Sequence, residues 1–191
     1  VLPGPVRLSD ATLVAAQVIP AVAFDDSDEA PAFDGIDRLR LVFVDGRFDA
    51  ALSDPLAETG LEIALLSDVL GRDIHWARDF YGSFEARGQA PVERPLAALN
   101  TAMACDGIVL RATGVVARPV HLIYLHRDPA SDATLHHLVR VEPGASMTLL
   151  ESGPAAARFN KVAEVEVAEG GQFHHIRTQG RDHERRAVTH V

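Results

Sequence analysis

The sequence predicts a mainly β protein whose first half mixes helices and strands, on three observations. Helical spacing of apolar residues is confined to the stretch before Asp106-Gly107. Beyond it, six short segments rich in β-branched and large apolar residues alternate with turn glycines and prolines. Within those segments Val139-Arg140-Val141-Glu142-Pro143-Gly144-Ala145-Ser146-Met147 recurs as Val165-Glu166-Val167-Ala168-Glu169-Gly170-Gly171-Gln172-Phe173, an offset of 26 residues. Strand, turn glycine and strand at that length fit one coil of a β-solenoid, which must stack on others to cover its apolar side. Two hairpins of a sandwich or barrel would read the same way.

The lead-in, Val1–Ile36, is weakly patterned, and its acidic run (Asp25, Asp26, Asp28, Glu29) reads as a solvated loop. Leu39 to Val44 is a strand running into Asp45-Gly46, a hairpin signal because a type I′ turn needs positive φ at both central residues. Leu61, Ile63 and Leu65 mark a second strand, after which Ser67 with Asp68 is placed to cap a helix start. Ile74 to Ala86 carries Trp76, Phe80, Tyr81 and Phe84 at helical spacing, with Gly88 as a stop and Pro91 as punctuation. Pro95 opens a helix through Leu96, Leu99 and Met103 towards Cys105. The β segments are Ile108–Arg111, Val120–Leu125, Leu135–Val141, Met147–Glu151, Val162–Val167 and Phe173–Thr178. These readings divide the chain into residues 1–98, mixed, and 99–191, β. Ala187–Val191 reads as one more strand beginning without a cap, so the sequence is expected to be a fragment.

Composition narrows the function. The 191 residues are 47% hydrophobic, enough for a packed core. The net charge of -9 resides in residues 1–98, with 17 Asp/Glu against 8 Lys/Arg, while residues 99–191 balance at 10 each. An acidic half disfavours nucleic acid or an anionic membrane as partner. No apolar run approaches the roughly 20 residues that cross a bilayer, and Val1–Asp10 lacks the pattern of a secretory signal. A single cysteine suits a reducing cytoplasm. Lys161 is the only lysine and no Gly-rich loop precedes it, so nucleotide hydrolysis by this chain is not expected.

Five stretches carry a family resemblance. They are Leu41–Phe48 (LVFVDGRF), Ala98–Ala102 (ALNTA) with Asp106-Gly107, Pro119–Tyr124, Val141–Ala145 with Glu151-Ser152, and Val167–Gly170 through His174-His175. In order and spacing the chain resembles the SufB/SufD family of iron–sulfur cluster assembly proteins, the first two stretches being closer to its SufD branch. The resemblance implies a mixed α+β N-terminal region followed by a right-handed parallel β-helix (solenoid), mainly β overall. It also implies a non-catalytic scaffold that pairs with SufB and binds the ATPase SufC in the SufBCD complex. A nascent Fe-S cluster would lie at the SufB–SufD interface, and no cofactor or metal is expected on these residues themselves. Val1–Ile36 has no aromatic-basic "WRYT"-type segment as the family does. The family's cluster ligands and SufC-docking region fall after the point equivalent to Val191. Open strand edges also allow a homodimer.

Candidate chemistry is sparse. The pairs His136-His137 and His174-His175 suggest a metal, but neighbours on a strand point to opposite faces and cannot easily share an ion. One histidine of each pair is expected inside and one exposed. The alternative is a metal-dependent cupin-like β-barrel enzyme, which places ligand histidines two apart with a carboxylate close behind, whereas Glu142 follows His137 by five. Cys105 falls at a predicted helix C-terminus and is expected to be packed and structural. The stripe Trp76, Phe80, Phe84 is expected in the core or on a helix-docking face, and Glu164, Glu166 and Glu169 at solvated positions. No catalytic, cofactor-binding or metal-ligating residue is assigned.

Overall fold

The computed structural model describes residues 33–72, 75–87, 90, 92–154, 156–178 and 186–191. The acidic run Asp25–Glu29, the helix start at Ile74, Gly88, Pro91 and Arg181 to Arg185 lie outside them. The strands are β1 (Leu39–Val44), β2 (Arg47–Phe48), β3 (Leu61–Leu65), β4 (Ile108–Ala112), β5 (Val120–Leu125), β6 (Asp132–Val141), β7 (Ser146–Ser152), β8 (Arg158–Val167), β9 (Gln172–Arg177) and β10 (Arg186–His190). The front sheet runs β2-β1-β5-β7-β9 and the back sheet β10-β8-β6-β4-β3. From β4 onwards consecutive strands alternate between the two sheets.

This arrangement corrects the expected β-helix preceded by a separate mixed region. Both five-stranded sheets are mixed, because β1 pairs antiparallel with β2 and β3 antiparallel with β4. A two-residue turn can only reverse the chain, and Asp45 and Gly46 supply its two positive φ angles, 47° and 78°. The early strands thereby enter the same two sheets as the later ones: β1 lies parallel to β5, with Leu39 opposite Val120. The 26-residue repeat has a direct counterpart, since β6 and β8 pair in parallel as Val139 with Val165, and β7 and β9 as Met147 with Phe173.

Alternation along the strands makes two apolar layers. Between the sheets lie Leu41, Phe43, Leu110, Leu122, Leu135, Val139, Val141, Met147, Leu149 and Phe159. On the outer face of the back sheet, Val109 and Leu138 pack with Leu66, Val69, Ala77 and Phe80 from a layer of short helices. These are α1 (Leu66–Leu70), α2 (Trp76–Phe80), α3 (Ser83–Arg87) and α4 (Pro95–Met103).

The helices depart from expectation in three ways. Ser67 caps nothing: α1 begins at Leu66 after Leu65, whose side chain makes no cap bond. The expected single helix over Ile74–Ala86 is two, broken at Tyr81 and Gly82, where Gly82 adopts φ 75°. In α4 the buried residues are Ala97 and Asn100, while Met103 is 65% exposed. Both of the last two have one cause, a polar anchorage of the helices to the back sheet.

Candidate functional site

Two buried polar clusters stand out, one on each face of β6. His136 and His137 point to opposite faces, as strand geometry requires, yet both are fully buried because helices cover the outer face. The expectation that one would be exposed is thus corrected.

The first cluster is a column between the sheets. The Ile108 amide donates to His137 Nδ1 (3.1 Å), which leaves the ring proton on Nε2, facing the Tyr124 hydroxyl at 3.0 Å. The Tyr124 hydroxyl stands in turn beside the Glu151 carboxylate. The Glu151 carboxylate also accepts from His175 Nε2 (2.9 Å) and from Lys161 Nζ, and the Arg177 Nε stands 4.0 Å away. Arg177 donates to Thr189 Oγ1 at 2.7 Å. Strands β5 to β10 each contribute a member, so the column crosses the stack from its covered interior to the flank formed by β9 and β10.

Burial governs its electrostatics. It pushes the His137 ring down to about 3, helped by the Lys161 charge, so His137 is neutral. It pushes the Tyr124 phenol well up, with Glu151 adding to the effect. Burial would raise Glu151 as well, but the His175 hydrogen bond and the Lys161 charge outweigh it and hold the carboxyl below the ordinary range. For Lys161, burial lowers the ammonium and Glu151 opposes it. Glu151 and Lys161 are both fully buried, and a pair so placed is tolerated only when well bonded.

The second cluster faces the helices. Asn100 Nδ2 donates to the carbonyls of Leu135 (3.0 Å) and Asn160 (2.9 Å), which leaves its Oδ1 towards His136 Nδ1 at 3.0 Å. His136 Nε2 lies 2.7 Å from Glu164 Oε1. Glu164 accepts three amides as well, from Gly82 (2.5 Å), Phe84 (2.7 Å) and Glu85 (3.2 Å). Because the Glu164 carboxylate can only accept, the Nε2 of His136 is the donor in that contact. The Tyr81 ring lies on the imidazole, centroids 4.3 Å apart, and its hydroxyl donates to the Thr101 carbonyl at 2.6 Å. Burial, then the Glu164 charge, raises the Tyr81 phenol to about 12.

Glu164 therefore corrects the expectation of a solvated residue, whereas Glu166 pairs with Arg140 at the surface (2.6 Å) and Glu169 is exposed. Cys105 is exposed rather than packed, because α4 ends at Met103. His174 is exposed and His175 joins the column. Trp76 and Phe80 lie under the Arg140 guanidinium, 4.8 and 5.3 Å from its centre, and flank the helical core.

A third histidine bears on nucleophilic chemistry. His121 Nε2 is 2.8 Å from Ser152 Oγ, the spacing of a serine–base pair. Its Nδ1, however, accepts from Arg38 Nε at 3.0 Å, so Nε2 carries the proton and donates to the serine. Burial, then the Arg38 charge, lowers the ring to about 4. His121 is the wrong tautomer to activate Ser152.

Among the described residues, no three His, Cys, Asp or Glu side chains converge to hold a metal ion. No helix among them is long and apolar enough to cross a membrane. Sequence reasoning missed Glu151, Lys161 and Tyr124. Their signal was parity: Met147, Leu149 and Glu151 share one strand face, as do Phe159, Lys161 and Ala163. A polar residue on a core-facing parity needs a partner.

No family model and no curated protein matches the chain. The SufB/SufD resemblance rests on the five stretches of sequence alone.

Proposed function

We propose that the chain is a non-catalytic cytoplasmic scaffold subunit of a SufBCD-type iron–sulfur cluster assembly complex, pairing with SufB and binding SufC. Besides the five stretches, one structural observation carries the reading: two open strand edges on the same flank. Among the described residues β9 pairs only with β7, and β10 only with β8. Gln172 and Thr178 donate their amides to Ala145 and Glu151, so by strand alternation those of Phe173, His175 and Arg177 face away from β7. Arg186 donates to Ala157, so the amides of Ala187 and Thr189 face away from β8. Two rows of peptide groups, one per sheet, form a template for strands of a partner. The internally bonded column beneath them suits a rigid framework.

The test is co-expression with SufB and SufC, followed by size exclusion with light scattering. The expected result is a stable complex that Ala187→Pro weakens about tenfold, because proline removes an outward amide and sets its ring against the incoming strand. Failure to associate, or an Ala187→Pro variant that binds as well as the parent, refutes the reading.

A further inference from the structure

The amides of Gly82, Phe84 and Glu85 converge on one carboxylate that belongs to the back sheet, not to the helical segment. The same carboxylate holds His136, on which Tyr81 stacks. Elsewhere the segment touches the sheet chiefly through Ala77 and Phe80 against Val109 and Leu138, and through Trp76 and Phe80 under the Arg140 guanidinium. A cleft of about 270 Å³, lined by Phe84, Glu85, Ala97, Val162, Glu164 and His190 among others, opens beside Glu164. Solvent protons thus have a route to a group that is otherwise enclosed.

We infer that Glu164 is a latch: its charge holds residues 76–87 on the back sheet, and neutralising it releases that segment while the two sheets stay folded. The chemistry is local. A protonated carboxyl cannot accept three amides and the His136 ring N–H at once, so at least one donor is stranded and the others weaken. The sheet is unaffected, since β6 and β8 keep a ten-residue parallel ladder whose bonds do not involve Glu164's side chain. Release uncovers Val109 and Leu138 on the side of Ala77 and Phe80, adding apolar surface to the outer face of the back sheet. The charged and titratable groups around the latch are His136 on β6, Tyr81, Cys105 and Glu85 from the helical layer, and Arg94 and His190 at the cleft. Of these, His136 bonds Glu164 within the back sheet, both side chains projecting towards the helical layer. The acid direction follows from Glu164, whose carboxyl is held below the ordinary range: burial acts against this, but the His136 bond and the amides outweigh it. Its contribution is complete above the unfolded value and is lost as pH falls through the folded one.

Hydrogen exchange read by mass spectrometry, corrected for the intrinsic pH dependence, tests this on the full chain. In Glu164→Gln at neutral pH, peptides over 76–87 should exchange about 10- to 100-fold faster, while 134–141 and 159–166 keep wild-type protection. In the wild-type protein, acidification should release 76–87 before β6 and β8. Simultaneous loss of both regions in the acid series, wild-type protection of 76–87 in the variant, or global loss of protection in the variant overturns the latch.

Discussion

Replacing either member of the Glu151–Lys161 pair should destabilise the protein unequally, and the inequality can be worked from the contacts. Glu151 faces Lys161, His175, Arg177 and the Tyr124 hydroxyl, whereas Lys161 Nζ bonds only Glu151 among the described residues. In Glu151→Leu the lysine ammonium stays buried without its anion, and His175 and Arg177 lose theirs. That is the situation costing about 3–5 kcal/mol, roughly 6–20 °C of melting temperature for a chain this size. In Lys161→Met the anion keeps the His175 hydrogen bond, the Arg177 guanidinium and the phenol, and the aliphatic stem is replaced, so the expected cost is about 1–2 kcal/mol. The double variant should recover part of the Glu151→Leu loss, because no orphaned ammonium remains. Urea unfolding at pH 7, followed by circular dichroism, reads all three. Equal costs for the two single changes, or a double variant as unstable as their sum, would show that the carboxylate is not the hub of the column.

Three further outcomes are expected. Because His137 is held down to about 3 while an unfolded histidine titrates near 6.5, stability should be complete above the latter and fall by about 1.4 kcal/mol per pH unit below it, down towards the folded value; the slope, read from urea midpoints, should be reduced in His137→Phe. Gly107→Ala should prevent folding or cost several kcal/mol, since its Cβ would sit 1.9 Å from the His136 carbonyl at φ 152°; Gly144→Ala, with open space but φ 72°, should cost only about 1 kcal/mol, both by thermal melts. Arg140→Ala should shift the emission of Trp76, the sole tryptophan, and cost about 0.5–1 kcal/mol, since a single guanidinium lies over Trp76 and Phe80; unchanged emission would show that the contact is not formed in solution.

Strands were legible wherever side-chain alternation met a turn residue. Leu39–Val44 with Asp45-Gly46 is the clearest case, because the dipeptide dictates both the reversal and the antiparallel pairing. The 26-residue repeat announced which strands are neighbours, but not that the chain before Gly107 would extend the same sheets with antiparallel edges. That depended on β3 meeting β4, a pairing across Gly60 and Thr113 that no local pattern encodes. The helices were read from apolar spacing and misplaced because polar contacts decide them. Asn100 turns the face of α4 away from Met103, and Glu164 breaks the Trp76–Phe84 run at Gly82. Such contacts join residues 35 to 82 positions apart, beyond the reach of any periodicity. The column's members were hidden for the same reason, visible only as polar residues on a core-facing parity.

The placement of His136 and His137 back to back on one ten-residue strand also constrains how this sequence can change in length. Removing one residue from the strand ahead of them would send the His137 imidazole among the helices and the His136 one between the sheets, stripping Tyr124 and Glu164 of their partners in a single event. Length changes in this chain should therefore be tolerated in the turns, or inside strands in steps of two, and thermal melts of one- and two-residue deletions check this directly.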